Sequence, residues 1–263
     1  MIEIFDTLAH PTIDSNWTNK KYKGLAGFDA LISSMNENKI KKAIAVGMKN
    51  IGNYEEKKYI ETVKKYKDKL LPVAFFDLFD FSHQDELANY LKYLKKLGYV
   101  GIKIHPRFSN INLTHNKLES IIKTANDLSL GVFLCTYFSD KKLSLRNNLQ
   151  ELMQLLSRIE NEKIVLLHSG GIYALELINM AYVFKNVLFD LSFTICKYEE
   201  SSVDLDIKYL FKNFDRRICI GTDFPEITHK KLRERFEYFS KGISIEKAQN
   251  IAYKNIEKHV GGV

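Results

Sequence analysis

Eight times along this chain, a short, largely apolar run is followed by a longer stretch whose apolar residues recur at helical spacing. The apolar runs fall at residues 2–5, 43–46, 72–76, 100–105, 132–136, 163–168, 187–191 and 217–220. Helical patterns occupy 27–38, 54–69, 84–97, 113–128, 143–159, 172–184 and 205–214, and two more, 229–240 and 245–258, follow the last run. Strands apolar on both faces belong in a parallel sheet covered on both sides. Parallel neighbours need a crossover, which a helix supplies. No two runs follow each other directly, and a count of eight favours a sheet closed on itself over an open, doubly wound one. The expectation is an α/β chain, a single (β/α)8 TIM barrel with an extra C-terminal helix. The length of 263 residues suits it, since one such domain needs about 250. With only 4 prolines and no Ser/Gly-rich linker, residues 1–263 read as one domain. No Gly-rich dinucleotide fingerprint or P-loop pattern follows the first strand, which weakens a nucleotide-binding fold.

Charge narrows the partners. Lys and Arg number 39 against 32 Asp and Glu, a formal net charge of +7. Such a balance suits nucleic acid or acidic ligands. The lysines are scattered in pairs such as Lys64-Lys65, Lys95-Lys96, Lys141-Lys142 and Lys230-Lys231, largely on polar helix faces, with no basic-aromatic array. Solvated helix faces explain them better than nucleic acid does, and a small anionic substrate stays compatible. Cys135, Cys196 and Cys219 are too irregularly spaced for a disulfide framework or a Cys-x-x-Cys site, which fits a reducing, cytoplasmic setting. The N-terminus shows no basic and apolar leader pattern. The longest apolar run, residues 70–76, is too short to span a bilayer, so no membrane partner is expected. A homo-oligomer is left open.

Barrels of this kind carry reacting groups at the carboxyl ends of their strands. Arg217-Ile218-Cys219-Ile220-Gly221-Thr222-Asp223-Phe224-Pro225 places a lone acid there, behind a buried strand. Because side chains alternate between interior and exterior, parity selects the residues that share a site. On the first strand Ile4, Asp6, Leu8 and His10 share a face; on the fourth, Lys103 and His105. Phe133 and Cys135 share one on the fifth, Leu166 and His168 on the sixth, and Cys219, Gly221 and Asp223 on the eighth. His10, Lys103, His105, Cys135, His168 and Asp223 therefore converge on one mouth. Structural alternatives stand beside each role. His10 could be a loop histidine held by Pro11, His168 and Asp223 could cap helices, and Cys135 could be a small core residue. Lys103 could pair with a barrel carboxylate such as Asp6 or Asp190. His83, His115, His229 and His259 read as surface residues.

Together these residues resemble the amidohydrolase superfamily, in particular its amidohydrolase-related branch of carboxylate decarboxylases and lactone hydrolases. The best matches are Gly101-Ile102-Lys103-Ile104-His105-Pro106, residues 164–171 around His168, and Gly221-Thr222-Asp223-Phe224-Pro225. The closing Ala248-Gln249-Asn250-Ile251 with Asn255 also resembles the family's last helix. The family opens with Asp-x-His-x-His, whose histidines hold a divalent metal. Here Asp6-Thr7-Leu8-Ala9-His10 keeps the second histidine and puts Leu8 at the first. A family histidine ending the fifth strand falls on Cys135, while His168 and Asp223 are present.

The resemblance implies a fold, a reaction class and a ligand set. His10, Cys135 and Asp223 would hold one divalent metal ion, zinc foremost because a thiolate suits it. A site with no metal is the alternative, since Leu8 cannot coordinate. Asp223 would act as general base and His168 as acid/base or further ligand, with Lys103, His105 and Arg107 holding the substrate's carboxylate. The implied activity is hydrolysis of a small carboxylate-bearing ester, lactone or amide. The alternatives are decarboxylation (a lyase) and a non-catalytic binding descendant. Residues 12–23, with Trp17 and Tyr22, are long enough to fold over the mouth, with Trp17 either lining the site or only anchoring its loop. Phe79-Asp80-Phe81 and Tyr137-Phe138 could wall the pocket.

Overall fold

A computed structural model describes residues 1–77, 83–138 and 146–261. Eight strands form one sheet in sequence order: β1 Ile4–Ala9, β2 Ile40–Val46, β3 Leu70–Phe76, β4 Gly101–Ile104, β5 Gly131–Cys135, β6 Ile164–Leu167, β7 Val187–Asp190 and β8 Ile218–Cys219. Each consecutive pair is parallel. The chain after β8 then returns to β1. Thr7 N donates to the Ile220 carbonyl at 3.1 Å, Asp223 N to that of Leu8 at 2.8 Å and His10 N to that of Phe224 at 2.8 Å. These bonds draw the end of the sheet onto its start, so β1 is paired on both sides. The expected (β/α)8 barrel with a C-terminal helical segment is what the chain forms. Its closing seam also brings His10 and Asp223, far apart in sequence, side by side.

Gly221 permits that seam. A Cβ here would lie 2.7 Å from Asp6 Oδ1 and Thr7 Oγ1 and 2.9 Å from the Leu8 nitrogen, so only glycine fits.

Two apolar layers follow from the pleat. One cluster gathers Phe5, Leu8, Ile44, Val46, Val73, Phe133, Val165, Leu167, Leu188 and Cys219, residues from nearly all the strands, and fills the barrel interior. The larger one lies between sheet and helices and takes Ala43, Ala45, Ala74, Ile102, Ile104, Val132, Leu134, Ile164 and Leu166. Lys103 projects inward between Ile102 and Ile104, as parity requires. Two strands break the expected alternation. On β1, Ile4 packs outside whereas Phe5 and Leu8 pack inside, because the register shifts between Ile4 and Phe5 and again before Ala9. On β6, Leu167 and not Leu166 faces inward.

The helices end where local chemistry stops them. Gln84–Leu97 begins with a capping box between His83 and Glu86 and ends at Gly98, whose φ of 108° is open to glycine. Thr228 caps His229–Ser240, and Ser244 caps the last helical stretch through Lys247 N at 3.2 Å, as its position predicts. That stretch is expected to be continuous over 245–258. It instead has a π-turn at Asn250–Lys254, where Asn250 and Asn255 reach Asp215 and the Ile218 carbonyl. The pattern at 172–184 yields only Ala174–Ile178 as α-helix. Pro106–Ser109 and Thr194–Lys197 are too short for any periodicity to reveal. No helix among the described residues is long and apolar enough to cross a membrane.

Candidate active site

A cavity of roughly 200 Å³ opens at the carboxyl ends of the strands, lined by His10, Lys103, His105, Arg107, His168 and Asp223 together with Trp17, Tyr137 and Phe193. Five of the six convergent residues meet there, and Cys135 lies 3 % exposed beneath them. The 12–23 segment does fold over the mouth. Trp17 stacks on His10 with ring centres 5.4 Å apart, and its indole donates to Glu226 Oε1 at 2.7 Å. Tyr22 donates to the Glu226 carbonyl at 3.0 Å. Trp17 thus both lines the site and anchors its loop. Arg107 lies at the rim with its guanidinium 5.7 Å from the Tyr137 ring centre. Phe79-Asp80-Phe81 lies outside the described residues.

The polar groups form two sets. In the first, His10 Nδ1 lies 2.9 Å from the Val46 carbonyl, so this nitrogen carries the proton and donates. Its Nε2 faces Lys103 Nζ at 2.9 Å and Asp223 Oδ1 at 3.3 Å. Burial, aided by Lys103, pushes the His10 pKa down to about 4, so the ring is neutral and Nε2 presents a lone pair. Burial also lowers Lys103, against the pull of Asp223 and Cys135. Burial would raise Asp223, yet the positive charge around it, His168 foremost and Lys103 with it, outweighs burial and holds the carboxyl well below the usual range. Its side chain is 18 % exposed and lines the cavity.

In the second set, Cys135 lies beside the imidazoles of His105 and His168. Burial opposes the thiolate, but these two imidazoles overcome it and bring Cys135 well below an ordinary thiol. Burial likewise opposes charge on His168, while Cys135 and Asp223 raise its pKa. His105 is lowered by burial, and its Nδ1 accepts from Phe108 N at 3.4 Å, capping the 106–109 turn.

His168 reaches the site by a route parity does not supply. With φ of 64°, it starts a left-handed run through Ser169, Gly170 and Gly171, which turns a side chain due outside back over the mouth. A network holds the turn: Ser169 Oγ donates to the Asp190 carbonyl at 2.9 Å, Thr194 Oγ1 to that of His168 at 2.6 Å, and His168 Nδ1 to that of Ser192 at 3.1 Å. Asp190, fully buried, accepts from Thr7 and Ser192. Neither His168 nor Asp223 caps a helix with its side chain; Asp223 too has a positive φ, 58°. Such backbone conformations cluster at functional sites.

Other expectations are corrected. Lys103 pairs with His10 and not with Asp6 or Asp190, because those acids are already saturated. Asp6 accepts from Thr222 N at 2.8 Å, Thr222 Oγ1 at 2.6 Å and Leu8 N at 3.1 Å, and meets His229 Nε2 at 2.9 Å. His229 is therefore no surface residue but fully buried. Only an acid on a strand end hinted at this pairing.

The metal implied by the resemblance can be tested on the donors. Among the described residues, no three His, Cys, Asp or Glu side chains converge to hold a metal ion. Leu8 packs in the apolar interior, and the free nitrogen of His10 is engaged by Lys103. The expected His10, Cys135 and Asp223 set is not assembled as a cage. These residues do not fit a divalent metal.

A family model described as Amidohydrolase matches residues 45–260. No curated protein matches the chain significantly. Among solved structures, a TIM-barrel protein from Bordetella bronchiseptica is similar at 15 % identity and a TM-score of 0.81, covering 99 % of this chain and 100 % of that one. A probable 2-pyrone-4,6-dicarboxylic acid hydrolase from Acinetobacter baumannii, with citric acid bound, is similar at 19 % identity and 0.69, covering 98 % and 99 %. A 5-carboxyvanillate decarboxylase from Novosphingobium aromaticivorans, complexed with manganese and a nitrobenzoic acid, is similar at 12 % and 0.70, covering 99 % and 96 %.

Proposed function

The chain belongs to the amidohydrolase family, and on that premise we propose that it hydrolyses a small carboxylate-bearing ester, lactone or amide, with Asp223 as general base and His168 as general acid. One observation carries this reading. A carboxylate opens into a small cavity, ringed by His10, Lys103 and His168, with the Arg107 cation at the rim.

Each group has work that follows from its surroundings. Arg107 binds the substrate carboxylate, and its fork geometry suits that anion. The substrate carbonyl oxygen then sits towards Lys103, whose ammonium stabilises the charge that grows as water attacks. Asp223 takes the proton from that water. In the empty site it is a weak base, because the cations around it hold its pKa down. A bound substrate anion offsets those cations and makes Asp223 more basic when it is needed. His168, whose proton Cys135 and Asp223 help to hold against burial, donates to the leaving oxygen or nitrogen. Cys135 holds charge beside His168, and His105 holds Cys135. Trp17 covers His10 and excludes water from that side.

The family contains hydrolases and decarboxylases, and a neighbour of this fold that bears citric acid supports a carboxylate-bearing substrate. The decarboxylase neighbour carries manganese, whereas the donors here do not suit a divalent ion. A panel of lactones, esters and amides bearing one or two carboxylates tests the proposal, with released CO2 measured alongside. Turnover should fall by about 10²–10⁴-fold in both Asp223→Asn and His168→Asn. Full turnover in Asp223→Asn refutes the assigned base. CO2 release without hydrolysis transfers the site to decarboxylation, and carboxylates that bind without turnover make it a binding site.

A further inference from the structure

We infer that Lys103 is the resident cation of this site: its ammonium group occupies the free nitrogen of His10, a donor the family resemblance implies as a metal ligand, and so keeps divalent metals out. The inference concerns what the site binds and does not depend on hydrolysis being the reaction.

The geometry of three atoms carries it. The proton of His10 is on Nδ1, because that nitrogen lies 2.9 Å from a carbonyl oxygen, which can only accept. His10 Nε2 therefore presents a lone pair, and so does Asp223 Oδ1, 3.3 Å away. Two acceptors aimed at one another at this distance repel unless a positive charge lies close by. In a metal site that group is the ion, and converging lone pairs from a histidine and a carboxylate are what an ion requires. Here Lys103 Nζ lies 2.9 Å from Nε2. The lysine stem is 1 % exposed and comes from an inward-facing position of β4, so it is built into the barrel and does not fold in from the surface. Asp6 and Asp190, the other acids on the strands, are taken up by Thr222 and His229 and by Thr7 and Ser192, which leaves Lys103 on His10, with Asp223 as a nearby charge outside ion-pair distance.

The missing family ligand then acquires a reason. Leu8 stands at the first histidine position and packs against the apolar interior. An ammonium group needs no tetrahedral cage, since one strong acceptor and a nearby carboxylate suffice, and a compact point charge on a flexible stem suits that role. A metal could enter only by displacing Lys103 from Nε2, and it would then lie beside an uncompensated buried ammonium, which is costly.

The test titrates zinc chloride, and separately manganese chloride, into chelator-treated protein by calorimetry, without substrate. The wild type should show no stoichiometric binding at metal concentrations on the order of 10 µM, well above typical structural-site affinities. Lys103→Met keeps most of the stem and removes the charge; it should gain at least about tenfold in zinc affinity, and adding His10→Asn should abolish the gain. Lys103→Arg should exclude zinc as the wild type does. Stoichiometric zinc or manganese on the wild type that is lost in His10→Asn overturns the inference, and so does a folded Lys103→Met with no gain. If Lys103→Met fails to fold by circular dichroism, the wild-type titration decides alone. Activity is not read in any of these measurements, so a wrong reaction assignment would leave their outcome unchanged.

Discussion

Replacing His229 with leucine removes one donor from a carboxylate that has no water to turn to. Asp6 and His229 are both fully buried, with His229 Nε2 2.9 Å from Asp6 Oδ2 and its Nδ1 2.9 Å from Ser34 Oγ. Leucine keeps much of the volume that packs flat against Phe224, so cavity formation adds little. The loss of a hydrogen bond to a charged group costs about 1.5–3 kcal/mol, and leaving the Ser34 hydroxyl without this partner adds about 1 kcal/mol. Breaking a buried ion pair outright costs about 3–5 kcal/mol, but Asp6 retains its bonds from Thr222 and Leu8, which places the change near the lower limit. About 3 kcal/mol is the resulting figure. In a domain of this size each kcal/mol moves Tm by about 2–4 °C, so His229→Leu should melt about 6–12 °C below the wild type. Differential scanning calorimetry reads this directly, with Ser34→Ala as the partial control at about 1 kcal/mol. A His229→Leu protein that melts within about 2 °C of the wild type would show that Asp6 does not need this donor.

Two further outcomes follow from the same structure. Gly221→Ala sets a methyl group against Asp6, Thr7 and the Leu8 backbone where β8 closes onto β1; it should cost about 1–3 kcal/mol in urea unfolding and lower turnover by shifting Asp223, and unchanged stability refutes the close approach. His259 has its Nε2 enclosed without a hydrogen-bond partner among the described residues, and burial together with Lys163 pushes its pKa down to about 4. The unfolded chain, titrating near 6.5, binds the extra proton first, so this stability is complete above pH 6.5 and is lost as pH falls towards 4, by up to about 3 kcal/mol at 1.36 per unit. His259→Leu should flatten that acid limb of stability against pH, and an unaltered slope refutes the neutral buried ring.

Much of this molecule is written in short-range pattern. The strands, the helices at 84–97 and 229–240, and the gathering of His10, Lys103 and Asp223 at one mouth follow from the apolar period and the alternation of a strand, which neighbouring residues fix between themselves. The arrangement at the mouth lies beyond that range. His168 arrives through a left-handed turn held by Asp190, Thr194 and Ser192, because the sign of φ at a strand end depends on what binds its carbonyl and amide. His229 sits at the start of an exposed-looking helix, yet it is buried because Asp6, on the first strand, needs a donor only the closed barrel can bring. Lys103 had several conceivable carboxylate partners along the chain and took the lone pair of a histidine instead. Sequence thus determined which groups reach the cavity, since burial of apolar faces is a local count. Tertiary structure alone decided which lone pair meets which proton, because hydrogen bonds and charges are directional and act over a few ångströms between residues that only closure makes neighbours.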